Sequence, residues 1–330
     1  MPSLVGSEMC IRDRITGTEV WSGTHTLTGN IIVATGANLI VQPGTTVTIP
    51  NGTYIDVRGG LCAGDVACGA NGMASNSSRI TFNWQEPSNA SATGSCYGLF
   101  SGNHWNRDPS CNEGILLRST VDIGATKLNH VSITNAYGMP RWVSEISEVR
   151  YGALVAEGAS PTMTGLKFEG VNTTSLLILD LGRPDIVGGE FTVGDDATSL
   201  IGSAIQAYGA GSAVQPLSII APVFTGTDNG CGQSDDGRHV LWVEESYVDI
   251  QHAVITNGDY GIRLDDSAGT VTSSTIDTTC NGIDVNNKKT AGNNVAYKLT
   301  VANNKITTDE RSPLTAFNLA WVDFTNNVID

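Results

Sequence analysis

Charge is scarce in this sequence, and most of what there is is acidic. Only 15% of the 330 residues are Asp, Glu, Lys or Arg, with 18 basic against 33 acidic side chains and a net charge of −15. Binding to nucleic acid or anionic lipid rests on clustered Lys and Arg, so neither partner is expected. No apolar run approaches the roughly 20 residues of a membrane-spanning helix. No window of about 12 residues repeats its apolar positions with the 3.6 period of an amphipathic helix, which argues against a helical bundle. The sequence also has no CxxC pair, no metal-ligand His pair, no phosphate-cradling glycine loop and no Ser/His/Asp arrangement.

The two ends stand apart. Residues 1–14, MPSLVGSEMCIRDR, have neither strand nor helix period, and they lack the apolar core and small-residue cleavage site of a signal peptide. They resemble the translation of sequencing-adapter bases, and are expected to be a non-native or disordered leader. Their two bases and two acids cancel, so the acidic excess belongs to residues 15–330. Trp321 to Asp330 continue a strand-like pattern with no capping element. The expectation is therefore one domain over 15–330, a fragment of a longer chain with further repeats or domains of its own.

What the sequence does have is glycine, 38 residues of it, with Thr, Val, Ile and Asn recurring throughout. That composition favours strands and turns. Seven cysteines are present, and Cys10 falls in the leader. Cys62 and Cys68 flank a short Gly/Ala loop, Cys96 and Cys111 bracket a Gly/Asn/Trp-rich loop, and Cys231 and Cys280 remain as a third pair. An even number in loops suits structural disulfides in an oxidising, extracellular or cell-surface location. Sequons at Asn51, Asn76, Asn89 and Asn172 would be glycosylation acceptors in a suitable host.

The dominant signal is a repeat. Large apolar residues five apart recur as Leu128/Ile133, Met163/Phe168, Ile186/Phe191, Ile219/Phe224, Ile250/Ile255, Val271/Ile276, Val301/Ile306 and Phe324/Ile329. The steps between pairs are either near 22 residues or about ten longer, as expected of a coil of about 22 residues with loop insertions. After Ile255 come Ile262 and Leu264, and after Ile276 come Ile283 and Val285, spaced by the two-residue strand period. An odd offset of five cannot keep both partners on one face of a flat strand, so a bend must lie between them. Strand, turn, strand, turn, strand is one rung of a three-faced β-helix.

Residues 26–60 place Ile32, Leu39, Val41, Val47, Ile49, Ile55 and Val57 in short alternating runs between Gly, Pro and Asn. Gly36-Ala37-Asn38-Leu39-Ile40-Val41-Gln42-Pro43-Gly44-Thr45-Thr46-Val47 resembles the first coils of extracellular right-handed parallel β-helix proteins of the pectate-lyase-like superfold. The fold class expected is thus all-β, a right-handed single-stranded parallel β-helix. A β-sandwich also has strands every 8–12 residues, but it does not predict eight copies of one five-residue offset.

Function in such a solenoid lies on exposed faces and in the insertions, here about 85–113, 138–152, 194–215 and 226–238. Setting Val240 and Trp242 one 22-residue coil before Ile262 and Leu264 puts both in inward columns. It also puts Glu244 beside Asp266 and Asn287, Asp265 on Asn286, and Arg263 on Asp284. Glu244, Glu245, Asp265, Asp266 and Asp284 then form an acidic cluster whose hard oxygens suit calcium, the only cofactor the pattern offers in a chain otherwise expected to need none. The competing expectation, favoured by the charge run, is a solvated turn edge with Arg263 paired to Asp284. Asn303, Asn304, Asn326 and Asn327 recur 23 apart, as stacked asparagines capping a turn would.

The β-helix glycosidases that share this superfold carry Asn-Thr-Asp, Asp-Asp and Gly-His-Gly elements, with carboxylates converging on a sugar bond. Here only Asp265-Asp266 matches. The β-helix lyases use calcium-binding acids with an Arg or Lys base, which Arg263 beside Asp265 and Asp266, with Lys288 and Lys289 beyond, echoes. His239 and His252 read as surface or capping residues. Trp84, Tyr97, Trp105 and Trp142 are candidates for stacking on sugar rings. A Thr-rich ice- or mineral-binding face would need Thr-x-Thr ladders in register, and only scattered pieces such as Thr45-Thr46-Val47-Thr48 are visible. The function expected is a non-catalytic secreted or cell-surface module contacting a polysaccharide or cell-surface glycan. The alternative is a polysaccharide lyase or glycoside hydrolase acting on the 228–289 face, with Asp265, Asp266 and Arg263 as catalytic candidates.

Overall fold

The computed structural model describes residues 14–85, 112–171, 173–193, 202–226, 231, 239–288, 297–318 and 320–330. Among them the chain winds as a right-handed parallel β-helix with three sheets, of 12, 11 and 11 strands. Each coil lays one strand on each sheet, and each strand pairs in parallel with its equivalent one coil on. The first coil is Arg14–Ile15, Thr18–Trp21 and Thr24–Thr26. Its first strand pairs Arg14 with Ile32, so the coil pattern begins one residue before the expected start. Parallel pairing between coils satisfies the backbone without a local hairpin, and right-handed crossovers are the sense that twisted strands allow.

The eight apolar pairs map onto two of the sheets. Leu128, Met163, Ile186, Ile219, Ile250, Val271, Val301 and Phe324 form one continuous column on the second sheet. Ile133, Phe168, Phe191, Phe224, Ile255, Ile276, Ile306 and Ile329 form another on the third. The bend between them has one construction throughout. Two residues after the first member of each pair, His130, Gly165, Gly188, Ala221, His252, Ser273, Asn303 and Asn326 adopt left-handed backbone with φ between 49° and 64°. One left-handed residue turns the chain through a corner, which is why an odd offset keeps both partners inward. Phe168, Phe191 and Phe224 stack with centroids 5.2 Å apart at both steps.

A polar ladder lines the same corner at the C-terminal coils. Asn304 Oδ1 accepts from the Ser274 amide at 2.8 Å, and Asn304 Nδ2 donates to the Val271 carbonyl at 2.9 Å. One coil on, Asn327 Oδ1 accepts from the Asn304 amide at 2.9 Å and its Nδ2 donates to the Val301 carbonyl at 2.9 Å. The stacked asparagines are therefore structural, satisfying backbone groups that the bend leaves without ladder partners. Gly269 marks a tight approach of another kind: with φ 135°, any Cβ there would run into the Val248 carbonyl oxygen.

The first sheet corrects the expected register. Leu241 pairs with Ile262 and Val243 with Leu264, because this coil has 21 residues, not 22. A slip of one residue exchanges the two faces of a strand. Val240 lies in the core, but Trp242 sits on the outer face opposite Arg263. Glu244 accordingly lies against Asp265, not Asp266. Asp265 on Asn286 and Arg263 on Asp284 are as expected.

Two expected insertions also have regular structure. Within 138–152, Met139–Val143 is a strand antiparallel to Glu148–Glu157, forming a hairpin that lies over the first sheet. Within 194–215, Ile205–Tyr208 is an ordinary strand of that sheet. The disulfides Cys62–Cys68 and Cys231–Cys280 are formed as expected. The pair Cys96 and Cys111 lies outside the described residues, as do Cys10, Asn89 and Asn172.

Candidate functional site

Outward positions of the first sheet run along the helix axis in rows, and they divide into three zones. The central zone is apolar: Leu116, Val155, Leu177, Leu179 and Tyr208 are covered by Met139 and Val143 of the hairpin. A zone towards each end carries the polar chemistry.

The first polar zone is built on the strand Tyr54–Val57, where alternation turns Tyr54 and Asp56 outward. Asp56 is buried beneath two guanidinium groups. Arg58 donates from Nη2 at 2.8 Å and from Nε at 3.0 Å to Asp56 Oδ2, while Arg118 Nε donates to Oδ1 at 3.0 Å. Burial alone would raise the Asp56 carboxyl, but hydrogen bonds and charge from Arg118 and Arg58 hold it below the ordinary carboxylate range. Arg118 Nη1 reaches Glu157 Oε2 at 3.5 Å, and Arg141 Nε, from the hairpin strand, lies 3.0 Å from the same oxygen. That last contact is an ion pair without hydrogen-bond alignment, since Arg141 Nε makes no hydrogen bond. Nη1 of Arg141 donates to the Pro140 carbonyl at 3.1 Å. Burial, opposed by the charge of Glu157, lowers the Arg141 pKa, yet guanidinium stays charged under all ordinary conditions.

These groups surround a pocket lined by Tyr54, Asp56, Arg58, Asn112, Arg118, Met139 and Arg141. Three arginines against Asp56 and Glu157 leave one net positive charge here, in a chain whose net charge is −15. A concave site with convergent donors and local positive charge is suited to an anion, and guanidinium groups are suited to a carboxylate. Trp142, the next residue along the hairpin strand, is 65% exposed.

The second polar zone holds the sequence candidates of the 228–289 face, and it is packed. His239 is 2% exposed, against the expected surface or capping position, and its Nε2 lies 3.2 Å from Asp284 Oδ2. Its ring packs on Tyr260 at 4.8 Å and faces Trp242 at 6.2 Å. Arg263 lies over the Trp242 ring at 4.8 Å, and its Nε donates to Asp265 Oδ2 at 2.8 Å. The ion pair expected between Arg263 and Asp284 is thus replaced by Arg263–Asp265, with Asp284 turned to His239. Burial lowers the His239 pKa and raises that of Asp265. Asp265 and Asp266 are 7% and 4% exposed, so this is no solvated turn edge. Among the described residues no group of three or more His, Cys, Asp or Glu is gathered tightly enough to hold a metal ion, and Glu244, Asp265, Asp266 and Asp284 are not brought together as calcium ligands.

The aromatic candidates also divide. Trp84 is fully buried and its Nε1 donates to the Thr53 carbonyl at 2.7 Å, because Ile80–Trp84 alternates with its first, third and fifth residues inward. It is a core residue and offers no face to a sugar. Trp142 is exposed as expected; Tyr97 and Trp105 lie outside the described residues. The arginine pocket had no signature in the sequence. Asp56 and Arg58 meet Arg118 and Arg141 only through ladder pairing across a long insertion and through the hairpin, and neither can be read from spacing.

No protein-family model matches the chain, and no curated protein matches it. Two solved structures are similar in outline. A point mutant of the periplasmic alginate epimerase AlgG aligns at a TM-score of 0.35 and 10% identity, covering 93% of this chain and 73% of its own. The periplasmic alginate epimerase AlgG itself aligns at 0.27 and 8% identity, over 94% of this chain and 70% of its own. At such scores neither bears on what this chain does.

Proposed function

We propose that this chain is a secreted, non-catalytic β-helix module that holds an acidic glycan on the outer face of its first sheet. The observation that carries the proposal is the convergence of Arg58, Arg118 and Arg141 on one pocket of an otherwise acidic protein. Arg141 adds donor capacity, since its Nη2 has no hydrogen-bond acceptor among the described residues. Successive coils repeat at about 4.8 Å, so the outward positions of the coils that precede the hairpin-covered zone line up towards the pocket as a short straight track. Trp142 is exposed on the opposite face of the hairpin strand from Met139 and Arg141, so it is not part of the pocket. The disulfides fit an oxidising compartment. Close packing of His239, Asp265 and Trp242 favours a structural role for the 228–289 face over polysaccharide cleavage there.

The test is gel-retardation affinity for a polyuronate and for a neutral glucan, with wild type, Arg141→Ala and Trp142→Ala. Wild type is expected to be retarded by the polyuronate alone, less so at high salt, with Arg141→Ala at least tenfold weaker and Trp142→Ala, on the far face of the hairpin strand, unchanged. Equal retardation by the neutral polymer, or an unchanged Arg141→Ala, would overturn the anionic-glycan assignment. Shortening of the polymer by the wild type would overturn the non-catalytic one.

A further inference from the structure

The outer face of the third sheet carries a pattern whose register the sequence hides. Thr24 and Thr26 pair with Thr46 and Thr48 on the next coil. Those pair with Thr81 and Asn83, and these in turn with Ser132 and Thr134. The sequence separations are 22, 35 and 51 residues, so the Thr-x-Thr pieces look scattered along the chain although they lie side by side. Seven of the eight outward positions over four adjacent strands bear a hydroxyl, and none is charged or aromatic. Thr24 and Thr26 are exposed, the next five are half-buried and Ser132 is buried. The field ends where Ser132 and Thr134 meet Lys167 and Glu169, which form an ion pair at 2.7 Å.

This array is both regular and rigid. Its rows are about 4.8 Å apart across the strands and about 6.7 Å apart along them, distances set by the β ladder itself. Beneath it Val47, Phe82 and Ile133 are fully buried, so the strands rest on packed core. Threonine is stiff at χ1, and Thr134 Oγ1 is further fixed by donating to Asn83 Oδ1 at 2.7 Å. A soluble, flexible ligand gains nothing from a two-dimensional repeat of hydroxyl and methyl groups. A crystal face does, because every added row is matched again. The absence of aromatic platforms weighs against stacked sugar rings, and the absence of charge weighs against ionic minerals. The crystal whose surface is a lattice of hydrogen-bonding oxygens at comparable repeats is ice.

We infer that the threonine field formed by Thr24–Thr26, Thr46–Ile49, Ile80–Trp84 and Val131–Thr134 is an ice-binding face, independent of the arginine pocket. Methyl groups order the first water layer and hydroxyls anchor it, so the face carries a pre-arranged patch of lattice water.

The test is ice-recrystallisation inhibition by the full chain, with Thr48→Tyr in the centre of the field, Thr48→Ser, and Thr225→Tyr on the same sheet outside it. Melting curves of each variant confirm folding. Wild type is expected to arrest grain growth. Thr48→Tyr should need at least tenfold more protein, Thr48→Ser an intermediate amount, and Thr225→Tyr the same amount as wild type. No inhibition by the wild type, or equal loss in Thr48→Tyr and Thr225→Tyr, would overturn the assignment. Retention on crystalline cellulose without any effect on ice would overturn it in favour of a crystalline polysaccharide.

Discussion

Replacing Asn304 by alanine should weaken the C-terminal coils severely while leaving the first coils untouched. Asn304 is 2% exposed and its amide serves two backbone groups: it accepts from the Ser274 N–H at 2.8 Å and donates to the Val271 carbonyl at 2.9 Å. Alanine leaves both groups without this partner, at a position only 2% exposed. A buried backbone group left without a partner costs about 1–3 kcal/mol, so the pair amounts to about 2–6 kcal/mol. The loss should stay local, because each coil of a solenoid touches only its neighbours. Hydrogen exchange of the variant is therefore a better assay than a global melt. At about 2 kcal/mol, protection of the Thr275 and Lys305 amides should fall roughly 30-fold. These amides pair with the Ala253 and Ser274 carbonyls in the affected coils. The Gly60 amide, bonded to Ala37 many coils away, should exchange as before. Asn304→Ser, which repeats the residue found one coil earlier at Ser274, should lose less. If Thr275 and Lys305 keep their protection in Asn304→Ala, the asparagine ladder is not what satisfies this corner.

Three further outcomes follow from the same structure. Removing the disulfide between Cys231 and Cys280, 49 residues apart, by Ser substitution should cost about 4 kcal/mol. Removing Cys62–Cys68, six apart, should cost about 2 kcal/mol on the same loop-entropy scale, and urea titrations of the two double variants test that order. Burial keeps His239 neutral below its ordinary value of 6.5, although Asp284 at 3.2 Å and the charge of Asp265 favour its protonation. The unfolded chain takes up that proton near pH 6.5 and the folded one does not, so stability is full above that pH and falls as the pH drops below it. Asp265, whose pKa burial raises, works in the opposite sense, binding a proton in the folded state above its ordinary 3.8. His239→Gln retains Asp265 and should flatten the loss between pH 7.5 and 5.5; an unchanged slope would show that His239 is not its source. Finally, Gly269→Ala should leave little folded protein in expression trials, since its Cβ has no room beside the Val248 carbonyl.

Much of the fold was legible because a solenoid writes its core as a period. The five-residue offset survived insertions of every length, since an insertion at one corner does not disturb the columns stacked on either side of it. What the period could not deliver was the register of a coil that contains no such pair in its first strand. Val240, Leu241, Trp242 and Val243 are apolar in sequence, so alternation gave no phase. One residue of error sent Trp242 inward and paired Glu244 with Asp266. The same limit explains Trp84, which sits at the end of a strand beside a long insertion and looks like a loop aromatic until the pleat of Ile80–Trp84 is known.

The sequence by itself determined that this chain is a β-helix, where the corner between its second and third sheets lies, and which residues stack in the columns on either side of that corner. Spacing between large apolar residues fixes those features, and spacing is a property of one dimension. Only the tertiary structure decided what the outer faces present. Arg58, Arg118 and Arg141 come from three separate segments, and the threonine field from four, brought together by pairing across intervals that differ at every step. Outward side chains answer to no core and carry no period, so their neighbours are set by the ladder and become visible only once the coils are stacked.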